Sequence, residues 1–241
     1  MPDLSKIAVL SDVHGNAPAL AAVLAELECE RPDLVVFGGD FTWGPLPGET
    51  FDLVRGLDAR FVRGNADRAL LENRAETERE RWMQSNHTRE MRDFLAGFEE
   101  AVVLEVEGLG AVRFCHGSPR SDEECVTSET PAERVRDLSA GVDERVIVTA
   151  HVHMQFDREV AGIRSVNAGS VGMPYEDRRG AFWALLGPDV DLRRTEYDLD
   201  EMVERYRASG LPGIEEIVEL TLRPPDQREV IEHAETEVFA G

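Results

Sequence analysis

The first third of the chain alternates short apolar runs with segments in which apolar residues recur at helical spacing. The run KIAVLS opens this part, and Leu20, Val23 and Leu27 follow on one helical face. Short apolar runs bounded by turn residues predict buried strands, and the 3.6-residue period predicts an amphipathic helix. The pattern predicts β-loop-α units, which are typical of a sheet with helical crossovers. Predicted strands cover 6–11, 33–37 and 59–62, and predicted helices cover 18–30 and 50–56.

The pattern changes twice after this part. Residues 68–97 are dense in alternating charge (ENRAETERERW), which predicts a helical insertion with solvated helices. Beyond it, Gly108-Leu109-Gly110 separates two strand-like runs and predicts a hairpin. We expect one domain over 1–241, with two sheets and a helical tail over about 198–241 that is acidic and loosely held after Pro224-Pro225. The later predicted strands, mostly antiparallel, cover 102–107, 111–115, 145–149, 156–161, 163–166, 180–186 and 190–197, and the later predicted helices cover 131–139 and 200–209.

The composition is that of an ordinary globular protein. Of 241 residues, 42% are hydrophobic and 31% charged, and no apolar run approaches the about 18 residues that span a bilayer. The N-terminus shows no signal-peptide pattern, and Cys29, Cys115 and Cys125 form neither a disulfide framework nor a C-x-x-C pair. We expect a cytoplasmic protein without a membrane partner.

The charge disfavours duplex nucleic acid as a partner. Forty-eight acidic residues face 26 basic ones, which gives a net charge of −22. Such a surface repels phosphate backbones, so we do not expect duplex nucleic acid to bind, although a cationic or metal-bearing cleft can still hold one phosphate. Lys6 is the only lysine. A GC-rich genome explains this bias, and adaptation to high salt explains both the bias and the acidity; both explanations stay open.

Five short polar motifs follow the ends of predicted strands. Ligands bind at this edge in open α/β sheets. Four of the six histidines of the chain lie within these motifs. The motifs are Asp12-Val13-His14, Gly39-Asp40, Gly64-Asn65, His116-Gly117 and His151-Val152-His153.

The residue types in these motifs point to a metal centre. They offer carboxylate, imidazole and amide donors without thiolate, a set that suits Mn, Fe, Zn, Ni or Co. Seven side chains exceed what one ion accepts together with water, so they suit two ions that share a carboxylate. Residues two apart in an extended segment point to the same side. The alternative is a set of turn residues and surface histidines, which the ordered placement at strand ends disfavours. The candidate ligands are Asp12, His14, Asp40, Asn65, His116, His151 and His153.

The order D-x-H, G-D, G-N, H-G, H-x-H resembles that of the calcineurin-like metallophosphoesterase superfamily. The segment Asn167-Ala168-Gly169-Ser170-Val171 resembles the N-P-G-S element of its small prokaryotic phosphodiesterase branch. The resemblance implies a four-layer α/β/β/α sandwich of two mixed β-sheets, with a dinuclear site between the sheet ends.

The resemblance also implies roles for the motif residues. Asp12, His14 and His153 would bind one divalent transition metal ion; Asn65, His116 and His151 would bind a second; Asp40 would bridge them. Manganese is favoured, and Fe, Zn, Ni or Co also suit the donors. The implied reaction is in-line attack of a metal-bridging hydroxide on a small phosphate ester.

Three departures from the family pattern modify this expectation. Ala66 stands where the motif G-N-H-D/E has a histidine, which removes general-acid help worth a factor of about 10²–10⁴. Ala150 replaces the glycine usual before H-x-H, and the loop after Asp40 lacks the arginine of the protein phosphatases. Activated or metal-assisted diesters are therefore favoured over alkyl phosphomonoesters. The alternatives are a dinucleoside-polyphosphate hydrolase or phosphatase, and a non-enzymatic metal-binding scaffold.

Further candidates surround the motifs. Asn65 and Asp67 are the catalytic candidates, and Asp67 can instead cap a helix or orient a ligand. Asn16 can donate to a phosphate or cap the first helix, and His87 is expected at the surface. Arg63, Arg68 and Arg120 can grip phosphate or pair with acids, and Trp43 and Tyr175 can stack on a base or pack in the core. Protein partners are not predicted.

Overall fold

The computed structural model describes residues 4–236. Its ten strands are β1 (Ile7–Leu10), β2 (Leu34–Phe37), β3 (Ala59–Phe61), β4 (Ala101–Val106), β5 (Gly110–Cys115), β6 (Val146–Thr149), β7 (Gln155–Val160), β8 (Ile163–Ala168), β9 (Ala181–Leu186) and β10 (Val190–Thr195). Its nine helices are α1 (Ala17–Glu30), α2 (Pro47–Val54), α3 (Asn65–Leu71), α4 (Glu78–Asn86), α5 (Arg89–Ala96), α6 (Ala132–Leu138), α7 (Leu199–Ala208), α8 (Ile214–Leu222) and α9 (Gln227–Thr236).

The strands form two mixed five-stranded sheets. The first sheet has the order β10-β9-β1-β2-β3, and the second has the order β4-β5-β6-β8-β7. In the first, β1 pairs in parallel with β2 and antiparallel with β9. In the second, β6 pairs in parallel with both β5 and β8. Parallel strands end at the same edge, so each sheet collects loops from several strands along one edge.

The alternation of side chains in β1 explains the layers. All four of its residues are buried. Ile7 and Val9 pack between the two sheets, against residues such as Phe114 of the second sheet. Ala8 and Leu10 point the other way, into the core beneath helix α1. A further core lies between α6 and the second sheet. The expected four-layer α/β/β/α sandwich is confirmed.

The charged segment 68–97 folds as three separate helices, α3 to α5. Helix α3 begins at Asn65, immediately after Gly64, and helices α4 and α5 carry threonine N-caps at Thr77 and Thr88. Met83 and Leu95 attach this segment to the core beneath the first sheet. Each helix therefore buries one apolar face and exposes its charged face to solvent.

The structure corrects the expectation of a loosely held tail after Pro224-Pro225. Helix α9 packs its buried Ala234, with Val230 and Ile231, on a small core beside the second sheet. Its Glu235 accepts a hydrogen bond from the hydroxyl of Thr127. The expectation was based on the acidic residues of this segment, but the apolar residues between them form the buried face of α9. The expected helical tail also includes 237–241, which lie outside the described residues.

One negative finding concerns the helices. Within residues 4–236, the structure has no helix whose length and apolar character would allow it to cross a membrane.

Candidate metal centre

The five motifs meet where the carboxyl ends of the strands of both sheets come together. Asp12 and His14 follow β1, Asp40 follows β2, and Asn65 begins α3. His116 follows β5, and His151 and His153 follow β6. The first sheet therefore supplies four of the seven candidate ligands and the second sheet supplies three.

Six of these side chains form two groups of three. Asp12, His14 and His153 each offer a ligand atom within 4.8 Å of the others, and so do Asp40, His116 and His151. We call them the first and second trios. Each trio draws residues from both sheets, so neither exists before the sheets dock.

Asp40 connects the two trios. One of its carboxylate oxygens lies 3.7 Å from His14 Nε2 in the first trio, and the other lies 3.6 Å from His116 Nε2 in the second. Asn65 adds a seventh side chain, since its Oδ1 lies 3.0 Å from His116 Nε2. These distances place the Asp40 carboxylate between the two trios.

The histidine contacts identify which ring nitrogens are free to bind a cation. His14 Nδ1 lies 3.1 Å from the carbonyl oxygen of Trp43, and His153 Nδ1 lies 2.7 Å from that of Met173. A carbonyl only accepts, so each Nδ1 carries the proton in the neutral ring and each Nε2 keeps a lone pair. Backbone carbonyls orient metal-binding histidines in this way.

Those lone pairs face each other at a distance that a cation between them would satisfy. His14 Nε2 and His153 Nε2 are 3.2 Å apart. The buried Asp12 Oδ1 lies 3.2 Å from His153 Nε2 and accepts no hydrogen bond within the described part of the chain. Two nitrogen lone pairs and an unpartnered carboxylate oxygen converge here, and this set fits a divalent transition metal ion.

The backbone at the centre is unusual. Eight non-glycine residues of the described chain have a positive φ, and five of them belong to the trios: Asp12, His14, Asp40, His151 and His153, with φ between 47° and 69°. Such conformations cost about 1–3 kcal/mol each and persist only where the surroundings impose them. Close approach adds to this at Gly39, where a Cβ would lie 2.6 Å from His116 Nδ1. The backbone conformations that direct these side chains into the centre therefore lower the stability of the fold.

The electrostatics of the metal-free centre show a deficit of positive charge. Burial raises the pKa of Asp40, but the attraction of His116, His14 and His151 outweighs it and holds this pKa well below its usual range. Burial lowers the pKa of His116, but Asp40 opposes it and raises this pKa to about 10. His151 remains neutral because burial and repulsion by His116 lower its pKa to about 4. Burial likewise lowers the pKa of His153, but Asp12 outweighs it and raises this pKa, so protonated imidazoles supply positive charge that a bound cation would replace.

Asp67 supports the centre from below. Its Oδ2 accepts hydrogen bonds from the backbone N–H groups of Asp40 (2.9 Å) and Gly64 (3.0 Å), and its Oδ1 accepts one from Phe41 (3.1 Å). The residue is 1% exposed. These contacts make Asp67 part of the capping box at the start of α3 and a support for Asp40. Because both of its oxygens are engaged and buried, Asp67 does not reach a substrate as a general acid. We therefore describe Asp67 as a positioning residue.

Asn16 is likewise turned into the protein. It is fully buried, and its Oδ1 accepts a hydrogen bond from Ala19 N as the N-cap of α1. Its amide donates to the carbonyl of Gly172 (2.9 Å) and to the hydroxyl of Tyr197 (3.2 Å). Both amide hydrogens are engaged, so the substrate-binding expectation for Asn16 gives way to the cap interpretation.

His87 corrects another expectation, since it is buried and 5% exposed. Its Nδ1 lies 2.7 Å from the carbonyl of Met83, and its Nε2 lies 2.9 Å from Thr42 Oγ1. It joins α4 to the loop that follows Asp40. The charged residues around His87 suggested a surface position. Its contact with Thr42 was not predictable because Thr42 is distant along the chain.

Aromatic residues near the motifs serve packing. Trp43 packs against the core beneath the first sheet. The ring of Tyr175 stacks on that of His153, with centroids 4.8 Å apart, and packs on the core that holds α9. The core interpretation fits both residues, and Tyr175 also fixes the plane of a candidate ligand.

Sequence reasoning did not foresee how the segment 167–171 acts. Ser170 Oγ donates to the carbonyl of Asp12 (2.8 Å), and Asn167 Nδ2 donates to that of Ala150 (2.7 Å). The amide N–H of Val171 donates to the carbonyl of Ser11 (2.9 Å). The segment thus ties the loop after β1 to the loop after β6. The N-A-G-S pattern indicated the resemblance to the family, but it did not predict that the segment connects these two loops.

Comparisons with known proteins agree with this architecture. The profile of the calcineurin-like phosphoesterase superfamily domain matches residues 6–186. The uncharacterized protein MJ0912 of Methanocaldococcus jannaschii is 25% identical over 234 residues, which cover 86% of this chain and 94% of the relative.

Two solved structures have a similar fold. The hypothetical protein PH1004 of Pyrococcus horikoshii superposes with a TM-score of 0.75 at 20% identity, covering 90% of this chain and 97% of that one. A metallophosphoesterase from Sphaerobacter thermophilus superposes with a TM-score of 0.71 at 25% identity, covering 88% and 97%. These likenesses extend over nearly the whole length of both proteins.

Proposed function

The chain belongs to the calcineurin-like phosphoesterase superfamily, and from this premise we propose that it is a dinuclear metal-dependent phosphodiesterase acting on small phosphodiesters or nucleotides. The observation that carries the proposal is the pair of trios joined by Asp40, in which the Nε2 lone pairs of His14 and His153 face each other at 3.2 Å. In this proposal Asp12, His14 and His153 hold one ion, and Asn65, His116 and His151 hold the other. Asp40 bridges them.

Two divalent transition metal ions, with Mn favoured and Fe, Zn, Ni or Co also suited to the donors, would supply an activated water and neutralise charge on the phosphoryl group. The chain's own residues hold and orient the donors. Carbonyls of Trp43, Met173 and Gly38 fix the rings of His14, His153 and His116. Asp67 fixes the backbone of Asp40.

Ala66 favours activated esters over alkyl phosphomonoesters. This residue lies at the start of α3, and its backbone N–H donates to Asp40 Oδ1 at 2.8 Å. A methyl side chain at this position has no proton to give to a leaving group. Esters whose leaving group departs without protonation are therefore the substrates that this centre serves best.

The test compares two aryl substrates. Purified protein with Mn²⁺ is assayed on bis-p-nitrophenyl phosphate and on p-nitrophenyl phosphate, before and after chelation. We expect chelator-sensitive turnover that favours the diester. A preference for the monoester would support a phosphatase instead. Two bound metal ions without turnover of either substrate would contradict the proposal and favour the metal-binding scaffold.

A further inference from the structure

A cavity of about 270 Å³ opens beside the second trio. His116 belongs to that trio and also lines the cavity, so the cavity lies directly next to the trio. Pockets that enclose a drug-sized ligand usually measure about 300–1,000 Å³. This cavity is below that range, so it suits one substituent of a phosphate ester rather than a whole dinucleotide.

The arginines of the cavity wall are already neutralised. Arg68 lies 2.6 Å from a carboxylate oxygen of Asp122 and 2.6 Å from one of Glu123. Arg120 lies 2.9 Å from Glu124 and 3.2 Å from an oxygen of Asp137. A second phosphate would meet the Asp122 carboxylate as well as arginines whose charge is already paired. The wall therefore does not favour a substituent that carries negative charge.

The same wall offers many hydrogen-bonding groups. Arg63 and the hydroxyl of Ser121 can donate, and the carboxylates of Asp122 and Glu100 can accept. Apart from the His116 imidazole, no aromatic side chain lines the cavity within residues 4–236. A base would find no stacking partner there, whereas alcohol groups would find both donors and acceptors.

Arg63 is the guanidinium best placed to change partners. Within the described residues its side chain pairs only with Glu100, at 3.0 Å, and the Glu100 side chain is 87% exposed. Exposed ion pairs are worth about 0–1 kcal/mol, so little is lost when Arg63 turns from Glu100 to a ligand. The residue also lies directly before Gly64-Asn65, which fixes its backbone next to the centre.

We propose that this cavity is a subsite for an uncharged, hydroxyl-bearing substituent of the substrate phosphate, such as a glyceryl or sugar group, and that Arg63 donates hydrogen bonds to its hydroxyls. The inference rests on the proposed function, because it assumes that the phosphate itself lies at the two trios. It narrows the substituent that remains on phosphorus to polyols and sugars and disfavours polyphosphates.

The test uses ligands matched in carbon skeleton. Binding of glycerol 3-phosphate, n-propyl phosphate and propane-1,3-diyl bisphosphate to the Mn²⁺-loaded protein is measured by titration calorimetry. We expect glycerol 3-phosphate to bind about tenfold more tightly than n-propyl phosphate, the effect of one charge-assisted hydrogen bond. Arg63→Ala should abolish this preference and leave two metal ions bound. Arg60→Ala removes a similar ion pair, with Glu99, that does not line the cavity, and should keep the preference.

Equal binding of the first two ligands, tightest binding of the bisphosphate, or a preference that survives in Arg63→Ala would each overturn the subsite. The binding measurement needs no turnover, so it decides on the subsite even if the protein hydrolyses no ester. Turnover of p-nitrophenyl glyceryl phosphate against p-nitrophenyl propyl phosphate then tests the two proposals together. Turnover of neither aryl diester would count against the proposed function alone.

Discussion

The carboxylate of Asp67 holds the backbone of Asp40 through a hydrogen bond of 2.9 Å from Asp40 N–H to Oδ2. The same carboxylate accepts from Gly64 and Phe41, so both of its oxygens are engaged by backbone donors. It joins the loop after β2 to the start of α3, which carries Asn65. The position of the bridging candidate therefore depends on a residue that does not face the cleft.

Replacing Asp67 with Asn should loosen this support. The amide nitrogen would face a backbone N–H where a carboxylate oxygen now accepts. Leaving a buried donor unsatisfied costs about 1–3 kcal/mol, so we expect the free energy of unfolding of the metal-free protein to fall by that amount in urea. Metal affinity should fall about 10–100-fold, as for other residues that orient ligands.

Asp52→Asn is the control for this experiment, since the Asp52 side chain is 63% exposed. It should change the stability by less than about 0.5 kcal/mol. Unchanged stability and unchanged metal affinity in Asp67→Asn would refute the positioning role.

Substitutions at Asp40 and at His14 should differ in the number of metal ions that the protein loses. Asp40→Asn weakens the shared ligand, and we expect it to lose both ions; His14→Ala touches only the first trio and should retain one ion. Elemental analysis after gel filtration gives the metal stoichiometry. Each variant should lose at least about 100-fold in diester turnover. Full stoichiometry with full turnover in Asp40→Asn would show that the two-metal assignment is wrong.

Ala66→His tests the departure from the family motif. The backbone N–H of residue 66 would still donate to Asp40, while the new imidazole could donate a proton to a departing alkoxide. We expect turnover of an alkyl phosphodiester to rise by up to about 100-fold, with a smaller rise for bis-p-nitrophenyl phosphate. Ala66→Asn, which supplies a polar side chain without a titrating proton, should show neither gain. An equal gain for both diesters, or none, would mean that leaving-group protonation does not limit turnover.

His87 should make stability depend on pH. Burial and the nearby Arg92 lower its pKa to about 4, against 6.5 as the ordinary value. The unfolded chain therefore takes up a proton on His87 before the folded chain does. The stabilisation should be complete above pH 6.5, decline as the pH falls toward 4, and amount to about 3 kcal/mol in total.

The pH effect of His87 is measured as a difference. Urea unfolding of the wild type and of His87→Gln is followed between pH 7 and 4, because other histidines titrate in the same range. The wild type should lose more stability on acidification than the variant. Parallel curves would show that His87 does not carry this dependence.

The sequence predicted those features of the fold that depend on local pattern. The strand ends at Asp12, Asp40 and His116 were recognisable because an apolar run stops and a polar residue follows, with a neighbouring glycine at Asp40 and His116. Burial of His87 and of Ala234 was not predictable in this way, because the partners of each residue are remote in the chain. The same holds for Asn16, whose side chain reaches Gly172 and Tyr197. The features that the sequence predicted depend on residues close together in the chain. Those that it did not predict depend on contacts between residues far apart in the chain, whatever their type.

The position of β1 between β2 and β9 sets an order of assembly during synthesis on the ribosome. A nascent chain that has emerged as far as His153 already holds all seven candidate ligands, but it lacks the segment 167–171 that fixes the loop after β1. It also lacks β9, which completes the pairing of β1. Because domains form as units during translation, the centre takes shape only when the last strands have been made. A metal ion would therefore find its complete ligand set only on the finished domain.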